Sequence, residues 1–129
     1  MIYSVKHFLR YWLPVILYCL LLFYQSSQSV VDTSLPEIPH LDKLLHAGAY
    51  ALLGALLLRA FAAGKGAVTA RLIILSISLA TLYGLSDEIH QFFVPLRQAD
   101  ILDLLADFIG SVAGVLIFHM IKAHKKTRP

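Results

Sequence analysis

Residues 84–110 read GLSDEIHQFFVPLRQADILDLLADFIG, and this stretch decides the fold. Five carboxylates, a histidine and an arginine sit here between two strongly apolar runs. Outward from it the chain is apolar almost throughout: 58% of its 129 residues are hydrophobic, 15% are charged, and mean hydropathy is +0.72. A water-soluble domain of this length cannot hide so much apolar surface, so the natural solvent is lipid. The length suits a single domain, residues 1–129.

Four apolar segments stand out, about 11–24, 44–63, 72–85 and 104–121. With flanking residues they give helices over roughly 8–24, 42–63, 71–91 and 101–121, each near the ~20 residues that a membrane span needs. Pro14 is tolerable in the first, because lipid-embedded helices accept proline more readily than soluble ones. Lys6 and Arg10 ahead of that segment also fit a secretory leader. Against a leader, QSSQS at 25–29 lacks an A-x-A-like cleavage site, and Tyr11, Trp12, Tyr18, Phe23 and Tyr24 suit a retained span with interfacial anchors. The lone cysteine, Cys19, is mid-segment and reads as a small buried hydrophobe. It permits neither a disulfide nor a cysteine metal site within one chain.

The net charge is +3 and the pI about 9.1, but the basic residues flank the apolar segments instead of lining one face. That argues against a nucleic-acid partner. Lys6 and Arg10, then Arg59, Lys65 and Arg71, then Lys122, Lys125, Lys126 and Arg128 occupy one set of ends. Only Lys43 and Arg97 occupy the other. The positive-inside rule therefore expects an all-α bundle of four transmembrane helices with both termini cytoplasmic. All eight carboxylates, Asp32, Glu37, Asp42, Asp87, Glu88, Asp100, Asp103 and Asp107, then lie on the extracytoplasmic side. Gly-Lys-Gly at 64–66 does not have the spacing of a phosphate loop.

At about 100° per residue, Asp100, Asp103 and Asp107 form one helical stripe, which Gly110 and Gly114 continue inward. A small-xxx-small pair lets a neighbouring helix approach closely, so the acids should face a bundle interior. On the third segment Gly84, Asp87, Glu88 and Gln91 share an arc, flanked by Tyr83 and His90. On the second, Asp42 and His46 are one turn apart, with Lys43 beside them and Tyr50 a turn further in. Asp107 lies about 10 Å below Asp100 along the helix axis. An acid at that depth against lipid costs roughly 2–3 kcal/mol, so it should face a wet or paired interior. Taken singly, Asp42, Asp87 and Asp100 read as hydrated helix ends, and Lys43 and Arg97 as their ion-pair partners. His40 and His119 read as interfacial. Three segments aiming ionisable groups at one depth favour a functional pocket.

The stretches DKLLHAGAYALLGALL (42–57) and LYGLSDEIHQFFVPLRQADILDLLADFIGSVAGVLI (82–117) together resemble the VanZ-like family of small membrane proteins. The resemblance covers about 42–117 and rests on a D-K-x-x-H element, an S-D-E-x-x-Q element, an arginine in a short loop, and D-x-x-D followed by glycines. It implies a multi-pass protein of the cell membrane, in a family named for a member associated with low-level teicoplanin resistance. It also implies similarity to membrane-embedded enzymes that act on lipid headgroups and lipid-linked envelope intermediates. Asp42, Lys43, His46, Asp87, Glu88, Gln91, Arg97, Asp100 and Asp103 match the family's elements.

The reaction expected is hydrolysis or transfer of a phosphate-linked headgroup on a membrane lipid or lipid-linked envelope precursor. His46 is the candidate general acid/base or nucleophile, oriented by Asp42 or by an acid of the third segment, with Asp87, Glu88 and Gln91 as further catalytic candidates. Lys43, Arg97 and His90 are candidates for holding phosphate. Asp100, Asp103 and Glu88 are candidate ligands for a divalent cation; oxygen donors suit Mg, Ca or Mn, and adding His46 admits Zn. Asp107, Gly110 and Gly114 form the pocket's structural floor. The alternative is non-catalytic capture of a lipid-linked wall precursor or a lipoglycopeptide. A proton-coupled carrier would use the acids as a relay, but one small bundle is short for a transport path unless it forms a homo-oligomer.

Overall fold

Proline, capping and glycine placement account for most of the architecture. The structure is a computed structural model and describes residues 2–29, 39–65 and 67–126; Asp32, Glu37 and Arg128 lie outside the described residues. Five helices follow one another: α1 (Ile2–Tyr11), α2 (Leu13–Ser26), α3 (Leu41–Phe61), α4 (Ala70–Phe92) and α5 (Ile101–Lys126). There is no strand among the described residues.

The first apolar segment is thus two helical pieces. Pro14 has no N–H to continue the ladder, so the helix breaks at Trp12 and restarts with the proline in its first turn. Hydrogen bonds from Trp12 N to Phe8 O (2.8 Å) and from Ile16 N to Trp12 O (3.0 Å) carry the chain through the break. Ser4–Ser26 therefore still makes one span. Thr69 starts α4, its Oγ1 accepting from Leu72 N at 3.4 Å. Asp100 starts α5, its Oδ1 accepting from Leu102 N at 2.8 Å. α5 reaches Lys126, past the ~121 expected from hydropathy, because Lys122 and Lys125 suit the negative end of the helix dipole.

Helices α3 and α5 form the tightest pair. A Cβ on Gly110 would strike the backbone of Ala47, and one on Gly114 the backbone of Ala51. From the other side, a Cβ on Gly54 would fall 2.8 Å from Ser111 O. Only glycine allows this approach, as the spacing of Gly110 and Gly114 led us to expect. Val15, Leu22, Tyr50, Leu53, Leu57, Ala60 and Ala80 form one core cluster, and Leu58, Ala62, Leu72 and Val115 a second. Tyr18 and Tyr83 tie the first span to the others, donating to Ala49 O (3.0 Å) and Cys19 O (2.6 Å).

Outward, the helices present bare apolar side chains, among them Leu20, Ile74, Leu82, Ile109 and Met120. Exposed all round, they would aggregate in water, whereas in lipid they face their own solvent. Four helices are each long and apolar enough to cross a membrane, which marks a multi-pass membrane protein. At one end Arg59 lies 4.9 Å over the Tyr11 ring and Lys122 Nζ donates to Ala62 O at 3.3 Å. At the other end the acids gather.

Candidate functional site

Three helix ends and one loop build the acidic end. The first turns of α3 carry Asp42, Lys43 and His46; the last turns of α4 carry Asp87, Glu88 and Gln91; the first turns of α5 carry Asp103 and Asp107. Between α4 and α5, Leu96 takes a left-handed φ of 66°, rare for a residue with a Cβ, and the next residue is Arg97. Arg97 reaches the end of α2, donating from Nε to Gln28 O (2.9 Å) and from a terminal nitrogen to Gln25 O (3.2 Å). Those carbonyls close a helix C-terminus, where a cation is favoured.

Lys43 is the hub. Its Nζ donates to Asp42 (2.8 Å), Asp100 (2.7 Å) and Asp103 (2.5 Å). An ammonium has three N–H donors, so all are taken by carboxylates. Lys43 thereby ties α3 to the start of α5, and among the described residues of this end Arg97 is the lysine or arginine with donors to spare. Lys43 and the Leu102 amide together hold the Asp100 carboxyl below the usual carboxylate range.

One turn deeper, His46 Nδ1 pairs with Asp107 Oδ1 at 2.9 Å, and His46 Nε2 stands 3.7 Å from Asp103 Oδ2. Asp107 is fully buried. Its carboxylate fits because α4 has Gly84 opposite, where a Cβ would fall 2.7 Å from Asp107 Oδ2. Glu88, also buried, accepts from Asp100 N at 2.9 Å through Oε2. Glu88 Oε1 and Asp107 Oδ2 are buried without a hydrogen-bond partner among the described residues. Gln91 Nε2 donates to Asp87 Oδ2 at 3.3 Å, and the ring of Tyr50 lies parallel to that of His46 at 6.5 Å.

Two hollows meet this cluster. A cleft of about 240 Å³ is lined by polar groups that include Gln25, Asp42, His46, Asp87, Gln91 and Arg97. A crevice of about 370 Å³ between the ends of α4 and α5 is lined by Leu85, Ile89, Phe92, Phe93 and Leu104, with Glu88 and Asp100 in its wall. The first sets its polar groups among apolar ones, Leu22, Leu45 and Ala49 included, and the second is almost wholly apolar. Their walls are linked through Lys43, which bonds both Asp42 and Asp100.

The family model described as VanZ/LLP1 matches residues 8–122. The chain belongs to the VanZ/LLP1 family. No curated protein and no solved structure matches it significantly. The match takes in most of the first and fourth spans, all of the second and third, and every candidate site residue of this VanZ/LLP1 chain.

The structure brings Asp42, Lys43, His46, Asp87, Glu88, Gln91, Asp100, Asp103 and Asp107 into one cluster. Gly110 and Gly114 form the packed seam beneath it. His90 faces elsewhere: its Nε2 meets Ser27 Oγ at 2.9 Å and its ring lies 4.6 Å from that of Phe23, against α2. Asp100 and Asp103, proposed from sequence as metal ligands with Glu88, are both bonded to Lys43. The set whose donor atoms converge within 4.8 Å is His46, Glu88 and Asp107. The acid bonded to His46 in the structure is Asp107, two turns inside α5, while Asp42 is bonded to Lys43. Gln25 and Ser26 also line the cleft, and their signal was the polar run that closes the first apolar segment.

Proposed function

We propose that this VanZ/LLP1 protein hydrolyses or transfers a phosphate-linked headgroup of a membrane lipid or lipid-linked envelope intermediate, at the extracytoplasmic face of the cytoplasmic membrane. The observation that carries the reading is the pairing of hollows around one acid/histidine cluster. A cleft of mixed lining that holds the charged groups His46 and Arg97 stands next to an almost wholly apolar crevice walled by Leu85, Ile89, Phe92 and Leu104. An amphiphile has this division: its headgroup suits the first hollow and its chain the second.

His46 is the acid/base. Asp107 fixes one ring nitrogen, as the carboxylate of a catalytic triad does, and the other nitrogen is left to exchange a proton. It takes a proton from water or an acceptor hydroxyl as that oxygen bonds to phosphorus, and returns one to the departing oxygen. Arg97 has donors beyond the two it spends on Gln25 and Gln28, and those suit phosphate oxygens. Lys43 organises the acids and does not meet the substrate. The orientation rests on charge: Lys6, Arg10, Arg59, Lys65, Arg71, Lys122 and Lys125 are set at the opposite end. Through the family resemblance, a link to teicoplanin-type glycopeptide resistance would follow from altered lipid-linked wall material.

The test uses full-length protein in proteoliposomes containing phospholipid and a polyprenyl-diphosphate-linked precursor, followed by mass spectrometry of the lipids. Headgroup turnover is expected, falling at least ~100-fold in His46→Ala, the scale of a lost general base. The same variant should keep its monodispersity and thermal midpoint. Unchanged lipids with saturable precursor binding would replace catalysis by capture. Unchanged lipids without binding would end both readings.

A further inference from the structure

We propose that His46, Glu88 and Asp107 form a binding site for one divalent transition-metal ion of the zinc or manganese type. This goes beyond the acid/base reading above, which needs no metal, and it gives His46 a different role: while the ring nitrogen that Asp107 does not hold ligates an ion, it does not exchange protons.

The first argument is geometric. One donor atom from each of the three residues lies within 4.8 Å of the others. Zinc binds imidazole nitrogen and carboxylate oxygen at roughly 2.0–2.2 Å in tetrahedral geometry, so neighbouring donors are about 3.4 Å apart. Side-chain movement of up to about 1.4 Å, within reach of a rotamer adjustment, brings the three donors to that separation.

The second is the state of the individual oxygens. Glu88 has one oxygen fixed by Asp100 N and leaves Oε1 buried and unpartnered. Asp107 has one oxygen fixed by His46 Nδ1 and leaves Oδ2 buried and unpartnered. Both residues are more than nine-tenths buried, Glu88 at 6% exposed and Asp107 at 0%. An unpaired buried carboxylate oxygen carries the full cost of desolvation, and a cation removes it. One oxygen held by a hydrogen bond and the other free is the arrangement that orients metal-ligating carboxylates.

The third is charge. Asp87, Glu88, Asp103 and Asp107 are all buried at this end. Lys43 spends its three donors on Asp42, Asp100 and Asp103. Among the described residues, the side chains of Glu88 and Asp107 are hydrogen-bonded only by a backbone amide and an imidazole. Two carboxylates and one imidazole form a donor set that suits zinc or manganese better than magnesium, which prefers oxygen alone. His46 lines the polar cleft and Glu88 the apolar crevice, so the ion would keep positions open to both hollows.

The experiment uses purified full-length protein, stripped with a chelator and titrated separately with Zn²⁺ and Mn²⁺. Bound ion is measured by plasma mass spectrometry after desalting, and Co²⁺ serves as the probe for a visible ligand-field band. About one ion per chain is expected, with affinity weakened ~10-fold or more in both Glu88→Gln and Asp107→Asn. The cobalt band should be lost in His46→Ala. His7→Ala, at the other end of the bundle, should bind as the wild type does. Because Glu88→Gln is nearly isosteric and leaves His46–Asp107 intact, it keeps the test valid if Asp107→Asn fails to fold. No retained ion in the wild type would overturn the site, as would equal affinity in Glu88→Gln and the wild type. Neither readout involves lipid, so the site can fail while the proposed reaction stands, and the reverse.

Discussion

The two ends of the bundle carry similar numbers of ionisable groups and treat them in opposite ways. At the basic end, Lys6, Arg10, Lys65, Arg71 and Lys125 are exposed, and Arg59 and Lys122 make single contacts with a Tyr11 ring and an Ala62 carbonyl. At the acidic end, Asp87, Glu88, Asp103 and Asp107 are buried and joined through Lys43, His46 and backbone amides. Exposed cations at a membrane boundary cost little and set orientation. Buried acids cost several kcal/mol each unless partnered, so their persistence marks where the fold serves a function.

The sharpest way to break this contrast is topological. In a Cys19→Ser background, Gln98→Cys is expected to react with a membrane-impermeant maleimide added to intact cells, and Lys65→Cys only after permeabilisation. The effect is all or none. The opposite pattern would put the acidic cluster on the cytoplasmic side and remove outer-leaflet material as its substrate.

Next in size is the energetic contrast. Lys43→Ala leaves Asp103 buried without its cation and is expected to cost about 2 kcal/mol, below the full value for a deeply buried pair because Lys43 is 22% exposed. Lys125→Ala at the other end should stay within about 0.5 kcal/mol. Denaturant titration in detergent, followed by Trp12 fluorescence, measures both. Equal effects would make the acidic end no different from an ordinary hydrated rim.

The smallest effect is in pH. Asp100 is lowered by Lys43 and by the Leu102 amide, so its contribution is complete above the unfolded carboxyl value of about 3.9. It is lost as the pH falls through the lowered folded value. Below about pH 4 the wild-type thermal midpoint is therefore expected to fall more steeply than that of Asp100→Asn. Parallel curves would mean that the Lys43–Asp100 bond is not held in solution.

The parts of this arrangement that depend on spacing along one helix were legible in the sequence. Asp100, Asp103 and Asp107 at offsets of three and four, continued by Gly110 and Gly114, specify a stripe that must turn inward and pack closely. Four apolar runs specify four spans, although Pro14 reads as tolerable within the first and instead divides it into two helices. Pairings between helices were not legible, because they depend on how each helix is rotated against its neighbour. Asp42 is one turn from His46 and looks like its partner, but the glycine seam presses α5 so close to α3 that Asp107 reaches the imidazole first. Arg97 reads as an ion-pair partner of the acids or a holder of phosphate, yet Leu96 turns it onto the carbonyls that end α2. The polar residues of α2 were hidden for another reason: a span's last turn and a loop have the same composition.

The central claim is that ionisable side chains from separate spans meet inside the bundle, and the His46–Asp107 pair is its deepest expression. Solid-state magnetic resonance on protein in lipid bilayers, labelled with ¹⁵N in histidine rings and ¹³C in aspartate carboxyls, reads that contact directly. A resolvable ¹⁵N–¹³C contact between the ring Nδ1 and the Asp107 carboxyl carbon is expected from the 2.9 Å approach of Nδ1 to Oδ1, and its loss in both His46→Gln and Asp107→Asn. Absence of the contact in the wild type would contradict the account.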